Sequence, residues 1–330
     1  MHKAFWPLLL SVWLLPTARA DVLFDYTSDS SGYWYEGANW SQGFAPNGSL
    51  DVVTIDRPAA DPTVTYNSTS GTSQIKSLTS SEAIVLSGGT LEILETANLS
   101  GSFSITGGTL KGGQITTTVG IDVNTSSGNA IDSLTLYGDL NLEQSADRVT
   151  LTGGLALDGT LNVAGYDAKV YFDGTQTLSE LGGGTATMMM TGHTWAPDYV
   201  RVYATGGGVL TIGSGVAVEG RGHLTSSGGS AIHNEGTIHA NQGGTLHITS
   251  ETFVNQAGGT LQVDSGSGLS LGSASWDNQG TLDLDGGTLT LGSNFTTANI
   301  NQGSMTRAAG SQVILTGNLD NTGAELDAIG

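Results

Sequence analysis

The chain has 330 residues, among them 50 Gly, 6 Pro and no Cys, and sets 10 Lys+Arg against 30 Asp+Glu for a formal net charge of -20. The few cations are scattered singly along an acidic chain, which excludes nucleic-acid binding and docking on anionic lipid, and the lack of cysteine excludes disulfides and thiol chemistry. A hydrophobic share of 38% with only 12% charged residues excludes intrinsic disorder, and abundant glycine without an every-third pattern excludes collagen and points to many tight turns in an all-β fold.

Residues 1–20 read as a secretory signal peptide: a basic start at His2 and Lys3, an apolar run from Phe5 to Leu15, then Ala18-Arg19-Ala20 before Asp21. The expected mature chain begins at Asp21 and is secreted or held at a cell surface. No later apolar run is long enough to cross a bilayer.

Residues 21–70 concentrate aromatic side chains, namely Tyr33, Trp34, Tyr35, Trp40 and Phe44. Two readings compete for them. An open solenoid end needs a unit that covers its core and strand edges, which makes this segment an N-terminal cap. Exposed aromatic faces would instead form a sugar-stacking platform, with Trp34 and Trp40 as the binding residues.

Residues 71–165 carry short apolar runs cut by Gly, Asn or Asp: Ile84 to Leu86, Leu91 to Leu94, Phe103 to Ile105, Leu134 to Leu136, Leu140 to Leu142, Val149 to Leu151 and Leu155 to Val163. Residues 166–208 break this rhythm and read as an irregular coil or insertion. They gather Tyr166, Asp167, Lys169, Tyr171, Asp173, Met188 to Met190, His193, Trp195, Asp198, Tyr199, Arg201 and Tyr203. Carboxylates, a guanidinium and aromatics in one segment suit polysaccharide chemistry. Tyr171, Trp195, Tyr199 and Tyr203 are the candidate binding residues, and Asp173, Asp198 and Arg201 the candidate catalytic set of an alternative, enzymatic reading. The bland alternative is an enlarged coil whose Met and aromatic side chains fill a wider core.

Residues 209–330 repeat most regularly. Gly-Gly-Thr-Leu begins at Gly88, Gly107, Gly243, Gly258 and Gly286 along the chain. Asn234, Asn255, Asn278, Asn301 and Asn321 recur about once per turn of a coil, each followed closely by glycine. Within a unit, Leu282, Asp283, Leu284 and Asp285 alternate before a Gly-Gly break, so leucines face one way and acids the other. Such short strands bury a face only by stacking at ~4.8 Å per coil. The pattern predicts a right-handed parallel β-helix of about 12 coils, a rod on the order of 55 Å long. The five asparagines are read as structural, placed at bends where Asn tolerates left-handed geometry and its amide bonds the next coil. The sequence stops within a repeat, which reads as truncation of a longer protein.

The head of the expected mature chain, Gly32-Tyr33-Trp34-Tyr35-Glu36-Gly37-Ala38-Asn39-Trp40 followed by Gly43, Pro46 and Asp51-Val52-Val53-Thr54-Ile55, resembles the opening of secreted bacterial β-strand-repeat surface proteins. Phe172 to Leu178 and Leu210 to Val216 resemble segments of the autotransporter-passenger and filamentous-haemagglutinin-like β-helix kind. The resemblance covers most of residues 30–330 and implies architecture more than activity.

Other chemistry is sparse. Asp283 and Asp285 lie ~7 Å apart on one strand, near the separation of an inverting acid/base pair, but outward acids on a solvated strand are commoner. His223, His233, His239 and His247 match no ligand spacing for a metal. No cofactor is implied, and the acidic surface suits weak calcium binding only. The expected function is a non-enzymatic stalk or adhesin-like surface protein. Its partners are glycans, cell-surface components or other copies of itself, bound through many weak polar contacts.

Overall fold

The computed structural model describes residues 19–126, 128–184, 186–192 and 199–323. The expected signal peptide therefore lies outside the described residues except for Arg19 and Ala20. From Val22 onward the chain winds as an all-β solenoid of about 12 turns built from parallel strands.

Alternation makes the strands. In Thr281–Asp285, Leu282 and Leu284 are buried while Thr281, Asp283 and Asp285 face outward, the same two-residue period that the sequence carries. A parallel strand pairs with its counterpart one turn later, so each coil contributes three strands to three faces. The first face runs through Gln176–Glu180, Val209–Ile212, Ala231–Asn234, Thr252–Asn255 and Ser275–Asn278. The second runs through Ala186–Met190, Val216–Gly220, Thr237–Ala240, Thr260–Asp264, Thr281–Asp285 and Ser304–Arg307. The third runs through Lys169–Asp173, Arg201–Thr205, Gly222–Ser226, Thr245–Thr249, Gly268–Leu271 and Thr288–Leu291. Inward side chains stack on their own kind, as in Ile238, Leu261 and Leu282 or Ile248, Leu271 and Leu291. Each such burial is worth about 1.5–3 kcal/mol. The result is one hydrophobic core running from Phe24 to Ile300.

The first half repeats less cleanly in sequence because its corners are tighter. One strand, Ala83–Leu99, serves all three faces, pairing with Thr63–Tyr66, then with the first half of Thr72–Ser80, then with its second half.

The N-terminal and middle segments both contribute strands to the coils. Residues 21–70 are not separate from the coils, since Val22–Asp25 pairs in parallel with Asp51–Ile55, which pairs in turn with Thr72–Ser80. Residues 166–208 do not interrupt the solenoid either. Their strands continue all three ladders, and the coils lengthen there: Asp173 pairs with Thr205 across 32 residues, Gln176 with Leu210 across 34 and Ala186 with Val216 across 30, where the asparagine-bearing coils are 21 and 23 apart. Among the described residues the named helical elements are the 3-10 turns Gly37–Asn39 and Ser68–Ser70 and the four-residue Ala298–Asn301.

The asparagines divide. Asn234, Asn255 and Asn278 stack in register on the first face, essentially inaccessible to solvent. The Asn234 Nδ2 donates to Asn255 Oδ1 at 2.8 Å, and Asn255 Nδ2 donates to Asn278 Oδ1 at 2.7 Å. They end strands in ordinary backbone, and none has the left-handed φ expected of them. The glycines that follow answer to space instead. A Cβ on Gly259 would lie 2.4 Å from Asn255 Oδ1, and one on Gly303 2.5 Å from Asn278 Nδ2. Asn301 ends the short helix, and its side chain lies outside the described residues; Asn321 accepts a hydrogen bond from Thr297 Oγ1 at 2.9 Å and is not in the stack.

Candidate functional site

The third face carries the most unusual outward surface. On each strand of this face the outward positions are fixed by the buried ones: Val170 and Phe172 point in, so Lys169, Tyr171 and Asp173 point out. Register then stacks outward residues of successive coils. Arg148, Lys169, Arg201, His223 and His247 are consecutive Cα partners, one ladder of basic side chains. Two residues further along each strand, Thr150, Tyr171, Tyr203, Thr225 and Thr249 form the parallel ladder. The cations are isolated in sequence and neighbours in space.

Within this patch Asp167 is the bridging acid. Its backbone is left-handed, with φ of 59°, a conformation Asp tolerates at a turn. From there it lies 2.7 Å from Lys169 Nζ and 3.5 Å from Arg148. Three full cations thus face one bridging carboxylate. Tyr171 and Tyr203 stack at 4.9 Å and 11°, and Arg201 donates to the Tyr203 hydroxyl at 3.5 Å. Burial, the dominant cause, raises the Tyr171 pKa above the ordinary phenol value, so its hydroxyl remains a donor at neutral pH. The hydrogen bond to Tyr203 raises the Arg201 pKa further, so its charge is permanent. His223 and His247 stack at 4.6 Å, and Tyr166 stacks on Tyr199 at 5.1 Å where the coils lengthen, both tyrosines exposed.

A cavity of about 250 Å³ opens at the foot of the patch, lined by Ser126, Asn129, Arg148, Thr150 and Tyr171 among others. Asn129 donates its Nδ2 to the Arg148 carbonyl at 3.0 Å. Its Oδ1, and the Nε of Arg148, are buried and have no hydrogen-bond partner among the described residues.

The other sequence candidates fare differently. Trp34 and Trp40 are fully buried, Trp34 Nε1 donating to the Pro46 carbonyl at 3.1 Å and Trp40 Nε1 to the Trp34 carbonyl at 2.7 Å. Neither ring faces solvent, so neither serves as a sugar platform; the exposed aromatics of that segment are Tyr33, Tyr35 and Phe44. Trp195 and Asp198 lie outside the described residues. Asp173 is exposed and accepts a hydrogen bond from Thr205 Oγ1 at 3.0 Å, while Arg201 is engaged with Tyr203. Asp283 and Asp285 project outward from the second face. Among the described residues no three His, Asp or Glu side chains converge to hold a metal. None of the helices among those residues is long and apolar enough to cross a membrane.

Sequence spacing did not reveal the basic ladder, because Arg148 falls before the segment singled out and the coil length there changes from 21 to 32 residues. The signal was present as a basic residue two positions before Thr or Tyr in Arg148-Val149-Thr150, Lys169-Val170-Tyr171, Arg201-Val202-Tyr203, His223-Leu224-Thr225 and His247-Ile248-Thr249. No family model, no curated protein and no solved structure matches the chain. What is shown is a parallel β-solenoid of repeated coils.

Proposed function

We propose that the chain is an exported, non-enzymatic stalk or adhesin-like surface protein whose solenoid displays a binding surface for glycans. The observation that carries this reading is the third face, where register converts isolated residues into adjoining basic and tyrosine ladders beside a polar cavity. A stalk needs only repetition, and the buried asparagine stack and continuous core supply it. The signal-like start and the resemblance to bacterial surface repeats support export to a cell surface. The aromatic segment around Trp34, packed on Trp40 and Tyr66 at 5.0 and 5.6 Å, suits the closing of the solenoid's first coil.

The test is a glycan array together with a polysaccharide-digestion assay on residues 21–330. Binding without turnover is the expected result. Release of product, lost when Asp173, Asp198 and Arg201 are changed to Ala, would replace this reading with an enzymatic one.

A further inference from the structure

We infer that the cavity at the foot of the third face is a subsite for a uronic acid unit of an acidic polysaccharide, which extends from there along the basic ladder. The inference rests on the glycan-binding reading above and narrows it to one class of sugar.

The stacking of Tyr171 on Tyr203 decides against neutral-sugar stacking at this place. Their rings lie 4.9 Å apart and nearly parallel, so each covers one face of the other. What the pair presents outward is ring edge and phenolic hydroxyl. Arg201 donates to the Tyr203 oxygen, which leaves the Tyr203 O–H free to point to a ligand. Hydroxyl, guanidinium and ammonium groups are hydrogen-bond donors, and a row of donors recognises anionic oxygen.

The cavity adds the complementary feature. Arg148 Nε is a buried donor with no partner and Asn129 Oδ1 a buried acceptor with none, among the described residues. Asn129 is only 5% exposed. Those two atoms are closed to solvent, so a ligand meets the solvent-facing part of the lining: a uronic acid carboxylate accepts from the Arg148 guanidinium, whose side chain is 39% exposed, and its ring hydroxyls bond Ser126 and Thr150. A bare anion makes only the first of these contacts and a neutral sugar lacks the charge for it. The next sugars of the chain then meet the Tyr171 and Tyr203 hydroxyls and Arg201, on coils spaced ~4.8 Å apart. The overall charge of -20 opposes a polyanion at long range, and salt shortens that repulsion to about 8 Å at physiological ionic strength. Local contact therefore governs binding.

The experiment is affinity electrophoresis of the full chain in gels containing polygalacturonate, or the same polymer fully methyl-esterified, at fixed ionic strength. We expect retardation by the acid form and little by the ester. Arg148→Gln and Arg201→Gln together should weaken binding roughly 100-fold, each lost charge-assisted bond supplying about 10-fold. Tyr171→Phe, which removes only a hydroxyl, should weaken it less, and Arg57→Gln, remote from the third face, should leave it unchanged. Far-UV circular dichroism of each variant verifies the fold, and Tyr171→Phe remains informative should the double variant misfold. Equal retardation by acid and ester, equal loss in the Arg57 variant, or equal binding of double-stranded DNA would overturn the subsite. If neutral glycans bind while polygalacturonate does not, this inference fails and the broader reading stands. If no glycan binds, both fail.

Discussion

Asn255 is the middle rung of the buried asparagine stack, and its removal should cost more than that of either end. In Asn255→Ala four side-chain hydrogen bonds disappear, from Asn234 at 2.8 Å, to Asn278 at 2.7 Å, and to the carbonyls of Gly259 and Thr281 at 3.3 Å each. Asn234 Nδ2 keeps the carbonyls of Gly236 and Thr260, but Asn278 Oδ1 loses its donor in a site closed to water. At about 1 kcal/mol for each of the two short bonds, less for the two at 3.3 Å, and 1–3 kcal/mol for the orphaned acceptor, the loss is about 4–6 kcal/mol. Asn278→Ala differs in sign at one point. Asn278 Nδ2 is already unpaired and buried, so its removal relieves a cost, and Asn255 Nδ2 retains the carbonyls of Gly259 and Thr281. That variant should lose about 1 kcal/mol or less. The direction of the ladder is fixed by those carbonyls, since a flipped amide would set oxygen against oxygen. Urea unfolding followed by far-UV circular dichroism measures the difference, with constant slope checking that cooperativity survives in a repeat protein. An Asn278→Ala loss equal to that of Asn255→Ala, or an Asn255→Ala loss under 0.5 kcal/mol, roughly the effect of an ordinary surface substitution, would refute the reasoning.

Further outcomes follow from other buried groups. Asp147 is almost wholly buried and its pKa is pushed up to about 6, first by desolvation and against the backbone N–H of Gln144 at 2.6 Å. A folded pKa above the unfolded value means that the protonated form favours folding. The stability from this site is complete below the unfolded pKa of about 3.8 and is lost as pH rises through about 6. The melting temperature should therefore rise on acidification from pH 7 toward 5, and Asp147→Asn should flatten that part of the profile while leaving the background from overall charge. Gly280→Ala should destabilise by about 1–3 kcal/mol, because its new Cβ would meet the Gly259 carbonyl oxygen at 2.1 Å and Asn255 Nδ2 at 2.8 Å; unchanged urea stability would contradict the close approach. Trp34→Ala should cost about 3–5 kcal/mol in the first coils, and hydrogen exchange should show the loss confined there rather than near Leu282, because each coil touches only its neighbours.

Much of the fold was legible because its signals are local. The alternation in Leu282 to Asp285 and the Gly-Gly-Thr-Leu recurrences specify short strands and corners, and stacking is then the only way such strands bury a face. The asparagine spacing was also readable, since a buried amide ladder requires the same residue once per coil. Its geometry was not. The adjoining glycine suggested a left-handed bend, whereas Gly259 and Gly303 are demanded by the approach of one coil to the amide of another, a contact across more than 20 residues that spacing alone does not express. The burial of Trp34 and Trp40 was likewise a tertiary fact: an aromatic cluster reads alike whether its faces meet solvent or each other.

The candidate site illustrates how a solenoid makes a surface that its composition denies. An overall count of 10 cations in 330 residues argues against any basic patch, and nothing in the primary spacing brings Arg148 near Arg201. Parallel register overrides distance along the chain, because any outward residue at the same position in successive coils becomes a neighbour at ~4.8 Å whatever the corner lengths between them. The 32-residue coil illustrates this: Lys169 and Arg201 are Cα partners despite the added length of chain between them. Substituting one outward position per coil can thus write a line of charge without disturbing the core, since the inward residues Val170, Val202 and Leu224 carry the packing. The binding surface and the fold are set by alternate residues of the same strands.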